Sequence, residues 1–139
     1  MSSFTEHLHH ANLFCRTLLL HSRVVSYGIR NLCPFMEFRD GDGENSYLTA
    51  QDTHISFVPN RPLLGLSPDE QMLLHLHQLQ GQKVVDVRCS ADSDLYLTFE
   101  NGTVLQVHGE SPDAVSLEPW LLGKGHQLLI TKIGGSYSF

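Results

Sequence analysis

Nine histidines are the residues of this 139-residue chain that most invite a metal-binding interpretation. His7 and His10 lie three residues apart in one predicted helix, whereas His75 and His77 lie two apart in another and would point to different faces. A zinc site needs ligands that share a face, together with a third and a fourth ligand. The sequence contains neither a His-Glu-x-x-His motif nor a Cys/His cluster. We therefore predict no metal and no cofactor, and we interpret the histidines as surface or core-edge residues.

The acidic segment Asp40-Gly-Asp-Gly-Glu44 places oxygen atoms at alternate positions, as a calcium-binding loop does. Such a loop needs a bidentate glutamate at its twelfth position, and the twelfth residue counted from Asp40 is Gln51. The segment is therefore predicted to be an acidic hairpin turn rather than a calcium site.

Catalytic motifs are the next feature to consider. The chain has no Gly-x-Ser-x-Gly elbow, and Gly123-Lys-Gly125 is too short to form a phosphate-binding loop. We predict that the protein is not an enzyme. Two alternatives stay open: a small-molecule-binding module with a pocket between sheet and helices, and a metal-dependent enzyme whose histidines and carboxylates converge in the fold.

The charge balance favours a basic partner. Fifteen acidic and nine basic residues give a net charge of −6, opposite to the balance of most nucleic-acid-binding proteins, so we predict no binding to DNA or RNA. The carboxylates concentrate around two predicted turns, and such a surface can speed the capture of a cationic protein. The residues predicted to bind the partner are Asp40, Asp42, Glu44, Asp92, Asp94 and Glu100.

The compartment follows from three further observations. Cys15, Cys33 and Cys89 are widely spaced and form no Cys-x-x-Cys motif, which is typical of small apolar residues in a reducing cytosol. No apolar run approaches the roughly 18 residues that cross a bilayer, and the first residues lack the pattern of a secretory signal. We expect a cytoplasmic protein that does not bind membranes.

A β-hairpin over residues 94–108 is the clearest structural element. Leu95, Leu97 and Phe99 alternate with polar residues, which is the period of a strand with one buried face. Asn101-Gly102 then predicts a two-residue turn in which both residues have positive φ. Further strands are predicted at Arg23–Ile29, Phe35–Phe38, Tyr47–Ala50, His54–Val58, Val84–Val87 and Gln127–Ile133, and Trp120–Leu122 is a further apolar stretch.

Two amphipathic helices are predicted. The first spans Phe4–Leu20 behind the capping-box spacing of Ser3 and Glu6. The second begins at Ser67-Pro-Asp-Glu70, where the serine caps the helix and the proline fits its first turn. Its apolar face is predicted to carry Met72, Leu73, Leu76 and Leu79. Gly81 is predicted to end the helix as a C-cap residue in the left-handed conformation.

Residues that interrupt regular structure, and the single tryptophan, complete the prediction. Pro34 is expected to end the strand before it, because proline lacks the amide hydrogen that a central strand needs. The segment Pro59–Leu66 is the one plausible linker, and Ser136–Phe139 is expected to be a short tail. Trp120 fits a core position better than an exposed anchor for a partner.

The two halves of the chain show the same order of elements. Val24 and Val84 are 60 residues apart, and Phe38 and Phe99, each followed by a turn, are 61 apart. We therefore predict one α+β domain over residues 1–139, mostly antiparallel strands with two helices, and a possible duplication relating residues 3–60 and 67–133.

Three segments between Leu79 and Leu122 resemble a known family. They are Gly81-x-Lys83-Val-Val-x-Val87, Asp94-Leu-x-Leu-x-Phe99-x-Asn-Gly102-x-x-Leu105 and Glu118-x-Trp120. The pattern is similar to small bacterial immunity proteins, which protect cells against polymorphic toxins, including those of contact-dependent growth inhibition systems. The resemblance implies a non-catalytic inhibitor that binds a cognate toxin domain, commonly a nuclease, and occludes its active site. Nucleases need basic clefts for phosphate backbones, so we expect the acidic turns to contact the toxin.

Overall fold

The computed structural model describes residues 4–50, 55–60, 64–109, 119–125, 127–132 and 136–138. The helices are α1 (Phe4–Leu19) and α2 (Pro68–Gln78). The strands, in chain order, are β1 (Arg23–Arg30), β2 (Cys33–Arg39), β3 (Asn45–Ala50), β4 (Ile55–Val58), β5 (Val84–Cys89), β6 (Leu95–Phe99), β7 (Val104–Val107), β8 (Trp120–Lys124), β9 (Gln127–Lys132) and β10 (Ser136–Ser138).

These strands form two antiparallel sheets. One has the order β1-β2-β3-β8-β9-β10, and the other has the order β4-β7-β6-β5. Two helices with two antiparallel sheets confirm the predicted α+β class. No helix among the described residues is both long and apolar enough to span a membrane.

The halves of the chain exchange a strand. The meander β1-β2-β3 is extended by β8 from the second half, and the meander β5-β6-β7 is extended by β4 from the first half. Helix α1 packs mainly on β5, and α2 packs on β1, so each helix also crosses to the other half. Neither half could therefore complete its own sheet alone.

Paired backbone hydrogen bonds join the starts of β1 and β5. Val24 N donates to Gln82 O at 3.1 Å, and Val84 N donates to Ser22 O at 2.8 Å. Adding 60 to the donor's number and subtracting 60 from the acceptor's number converts the first bond into the second. The register repeats as well, since Val24 pairs with Phe38 as Val84 pairs with Phe99.

The same correspondence holds at the helix ends. His21 N donates to Val84 O and Gly81 N donates to Val24 O, both at 2.8 Å. Both donors have positive φ, 70° for His21 and 79° for Gly81, as predicted for Gly81. This geometry matches the predicted offset of 60 residues, although the duplication itself stays a prediction.

The central hairpin is present, but its predicted two-residue turn is wrong. The last pair of the ladder is Thr98 with Val104, and of the two central residues only Gly102 has positive φ, at 88°. Asn101 Oδ1 accepts a 3.0 Å hydrogen bond from Thr103 N, and this local bond favours the longer turn.

A two-residue turn with positive φ at both positions lies instead between β1 and β2. Asn31 and Leu32 have φ of 52° and 67°, and Arg30 pairs with Cys33 beside them. Pro34 therefore does not end a strand: it lies inside β2, opposite Ile29. A leucine in this conformation carries no sequence signal, because bulky residues rarely adopt positive φ.

Helix α2 begins as predicted. Ser67 Oγ accepts from Glu70 N, and the Glu70 carboxylate accepts from Ser67 N, so both halves of the capping box are formed. Hydrogen bonds to the ionised carboxylate, first from the Ser67 backbone N–H and then from the Ser67 side chain, lower the pKa of Glu70. The buried face of α2 differs from the prediction. Leu73 is 36% exposed, and His75 is buried instead of Leu73. Ser3, the cap predicted for α1, lies outside the described residues.

One hydrophobic core takes side chains from both helices and both sheets. Trp120 is fully buried in it, and its Nε1 donates to Ser93 O at 2.7 Å, which confirms the core interpretation. The predicted tail is wrong for Ser136–Ser138, which pairs with β9 as β10.

Candidate partner-binding site

The turn between β2 and β3 is held by its first residue. Asp40 Oδ1 accepts hydrogen bonds from Asp42 N at 2.9 Å and from Glu44 N at 3.0 Å. The backbone closes the turn, because Asp40 N donates to Glu44 O and Gly43 N donates to Asp40 O. The acidic turn predicted from the sequence is therefore confirmed, and its backbone is fixed before any partner arrives.

Lys124, at the end of β8, neutralises part of this turn. Its Nζ donates to Asp40 Oδ2 and lies 3.4 Å from Glu44 Oε2. The lysine is the main reason why the pKa of Asp40 is lowered, and the backbone amide of Glu44 adds to the effect. Asp40 in turn raises the pKa of Lys124. Asp40 is thus the structural carboxylate, while Asp42 and the 68% exposed Glu44 side chain face solvent.

A concave surface lies directly beside this turn. A cavity of about 620 Å³ is lined by Glu44 and Lys124 on one side and by Thr17 and Leu18 of α1 on the other. It continues into a second cavity of about 300 Å³, because Thr17, Leu18 and Gln127 line both.

The second cavity is apolar. Leu13 and Phe14 of α1 contribute to its walls, and Leu13 is 58% exposed. An acidic turn beside an exposed apolar helix face offers both charge and an anchoring surface. We call the turn of residues 40–44 together with Leu13, Phe14, Thr17, Leu18 and Gln127 the acidic–apolar surface.

The other predicted acidic turn, at residues 90–94, directs one of its two carboxylates to hydrogen-bond donors of the protein itself. Ser90 Oγ accepts from Asp92 N at 3.2 Å and from Asp94 N at 3.1 Å, so its backbone resembles the first turn. The Asp94 carboxylate, however, accepts from Gly109 N at 2.7 Å and from Gln106 Nε2 at 3.0 Å. Asp94 therefore holds the structure together, and only Asp92 stays exposed.

Glu100 lies away from both of its predicted neighbours. Asp94 precedes β6 and Glu100 follows it, which separates them by about 20 Å along the strand. Glu100 forms an ion pair with Arg23 at 3.1 Å and accepts from Lys83 N at 3.3 Å. The six predicted residues are thus not brought together, and Asp42 and Glu44 are the pair displayed on one turn.

A separate groove of about 310 Å³ lies between β4 and α2, where Phe57 and Met72 are among its walls. His75 is buried at its edge and stacks on Phe57 at 4.7 Å. Its Nδ1 must carry the proton, because it lies 2.8 Å from the carbonyl oxygen of Gln71, which can only accept. In the neutral ring Nε2 is then an acceptor, and within the described residues it has no hydrogen-bond partner.

Sequence reasoning missed the apolar half of the acidic–apolar surface. Leu13 lies outside the apolar periodic pattern that predicted α1. The walls of the two adjoining cavities come from α1, β8 and β9, which are far apart in the chain. The exposed Leu32 in its left-handed turn was also missed.

Within the part of the chain that the structure describes, no three His, Cys, Asp or Glu side chains form a group that could hold a metal ion. His75 is buried and His77 is exposed, which confirms that the two point to different faces. Comparison with protein-family models, curated proteins and solved structures finds no match to this chain.

Proposed function

We propose that this chain is an immunity protein that binds a cognate toxin domain, a cationic nuclease, in the cytoplasm and blocks its active site. The observation that carries the proposal is the acidic–apolar surface, where Glu44 lines a cavity that shares Thr17, Leu18 and Gln127 with the apolar cavity beside the exposed Leu13. The sequence resemblance and the net charge of −6 support the same partner class.

The fixed turn suits fast capture. Its backbone is already ordered by Asp40, so little conformational entropy is lost when a partner binds. The charges of Asp42 and Glu44 would attract a basic cleft over a distance of about 10 Å at moderate salt, which mainly raises the association rate. Affinity would come from an apolar side chain of the partner in the cavity lined by Leu13 and Phe14.

The direct experiment first reads the neighbouring gene, where the proposal expects a large secreted protein with a nuclease-like C-terminal domain, and then uses that domain. Co-expression should yield a complex that survives gel filtration, and the chain should restore growth of cells that produce the toxin domain. In vitro it should stop cleavage of nucleic acid at equimolar concentration. A toxin domain that neither co-purifies nor loses activity would contradict the proposal.

A small-molecule-binding module is the second candidate, and the groove between β4 and α2 favours it. Its walls combine apolar residues with the buried acceptor Nε2 of His75, a mixture typical of ligand pockets. A panel of uncharged metabolites with hydrogen-bond donors should then contain one that raises the Tm. His75→Phe should abolish that shift, whereas the exposed-site control His77→Phe should retain it. If no compound raises the Tm, the small-molecule-binding candidate is rejected and the toxin-binding proposal is the one that stands.

A further inference from the structure

Two of the three cysteines, 74 residues apart in sequence, meet in the fold. Cys15 of α1 is fully buried, and Cys89 at the end of β5 is 3% exposed. Their Sγ atoms lie 3.4 Å apart. A disulfide needs about 2.05 Å between the sulfur atoms, so a rotation of the side chains and a small shift of the helix would close the gap.

Polar contacts hold the two cysteines in this register. The side chain of Asn12 bridges α1 to the backbone of Cys89: its Oδ1 accepts from Cys89 N at 2.8 Å, and its Nδ2 donates to Cys89 O at 3.2 Å. One turn further along α1, Arg16 Nη1 donates to Val87 O and to Asp86 Oδ1, both at 3.0 Å. The helix is therefore fastened to β5 on both sides of Cys15.

We propose that Cys15 and Cys89 are a site of reversible disulfide formation, which responds to low-molecular-weight disulfides such as oxidised glutathione and locks α1 onto β5. The bond joins the helix that carries Leu13 and Phe14 to the four-stranded sheet. It does not depend on the proposed toxin-binding function.

The reaction balances through thiol–disulfide exchange. The thiolate of one cysteine attacks oxidised glutathione and releases one glutathione thiolate. The thiolate of the other cysteine then attacks the protein sulfur of the mixed disulfide and releases the second glutathione. The two protein thiols lose two protons and two electrons, and one oxidised glutathione becomes two reduced molecules.

Burial sets the rate of this exchange. The apolar surroundings raise the pKa of Cys15, so its thiolate is scarce while α1 is docked. The oxidant reaches neither sulfur until the helix moves away from β5. Oxidation should therefore be slow under native conditions and faster in urea concentrations that loosen α1 without unfolding the sheets.

The test uses the full chain with Cys33→Ser, so that only the two buried cysteines remain. It is equilibrated with glutathione mixtures of rising oxidised fraction, with and without mild urea, and then analysed by intact mass and peptide mapping. We expect loss of two hydrogen atoms in mass, a Cys15–Cys89 cross-linked peptide, and reversal by dithiothreitol. Because the link closes a long loop, the Tm should rise by at least about 5 °C.

The matched control carries Cys33→Ser and Cys89→Ala. It keeps Cys15 but should form at most a mixed disulfide with glutathione, without the rise in Tm. Absence of the cross-linked peptide at full oxidation in urea would overturn the proposal. An equal rise in Tm in the control, or a cross-linked protein that melts below the reduced one, would also overturn it.

Discussion

The turns at residues 40–44 and 90–94 share a backbone conformation, but their surroundings differ. In each, the first side chain accepts from the amides of the third and fifth residues, through Asp40 in one turn and Ser90 in the other. In each, the fourth residue has positive φ, 80° at Gly43 and 65° at Ser93.

Their surroundings make the difference. Gly43 is exposed, whereas Ser93 is buried and its carbonyl accepts the hydrogen bond from Trp120. Glu44 is 68% exposed beside Lys124, whereas the carboxylate of Asp94 accepts from Gly109 N. A short acidic turn is thus readable from sequence, but whether its carboxylates serve a partner or the fold depends on segments that pack against it.

The largest effect should separate Asp94 from Asp42. Asp94→Ala leaves Gly109 N without its acceptor and removes one of the two acceptors of Gln106 Nε2, and we expect the free energy of unfolding to fall by about 2 kcal/mol. Asp42→Ala should change it by less than about 0.5 kcal/mol, because this side chain is exposed. Urea denaturation at pH 7 measures both values.

Asp94→Asn is the control, because its amide oxygen can still accept from Gly109 N. It should recover at least half of the stability lost in Asp94→Ala. Equal losses in the free energy of unfolding for Asp42→Ala and Asp94→Ala would contradict the structural role assigned to Asp94.

A smaller effect is expected from the backbone of the first turn. Gly43→Ala places a Cβ in the left-handed region, which costs about 1–2 kcal/mol, although no neighbouring atom would meet the new methyl group. Gly41 has equally open space and no positive φ, so Gly41→Ala should be neutral within about 0.5 kcal/mol. A neutral Gly43→Ala would contradict the fixed geometry assigned to this turn.

The smallest effect concerns pH. Because the folded state lowers the pKa of Asp40, its ionised form contributes stability that is fully present above the ordinary carboxyl pKa near 4 and is lost as the pH falls through the lower folded value. Asp40→Asn should therefore melt below the wild type at pH 7, and the two Tm values should converge as the pH falls below about 4. A Tm difference that does not change with pH would exclude the carboxylate charge as its source.

Local patterns predicted much of the fold. Ser67 and Glu70 cap α2 through bonds within four residues, and the alternation of Leu95, Leu97 and Phe99 defines β6. The paired bonds between β1 and β5 have the spacing of 60 residues seen in the sequence, while the duplication itself stays a prediction. These features arise from residues close together in sequence or from a regular spacing, so they can be predicted from the sequence alone.

The candidate site was only partly predictable. The turn at Asp40 was found, but its contact with Lys124 spans 84 residues, and the inward turn of Asp94 depends on Gly109 after a complete hairpin. The cavity beside Leu13 and the meeting of Cys15 with Cys89 likewise depend on how α1 docks on the sheets. Contacts between distant segments leave no local pattern.

The rate of association with the toxin domain that the proposal expects from the neighbouring gene tests the central claim most directly. Asp42→Lys should slow association by about tenfold at low salt, and the effect should shrink at high salt. The matched control Asp69→Lys reverses an exposed charge on α2, which lines neither cavity of the acidic–apolar surface, and should change the rate by less than about twofold. Equal rates for the wild type and Asp42→Lys at low salt would contradict the account.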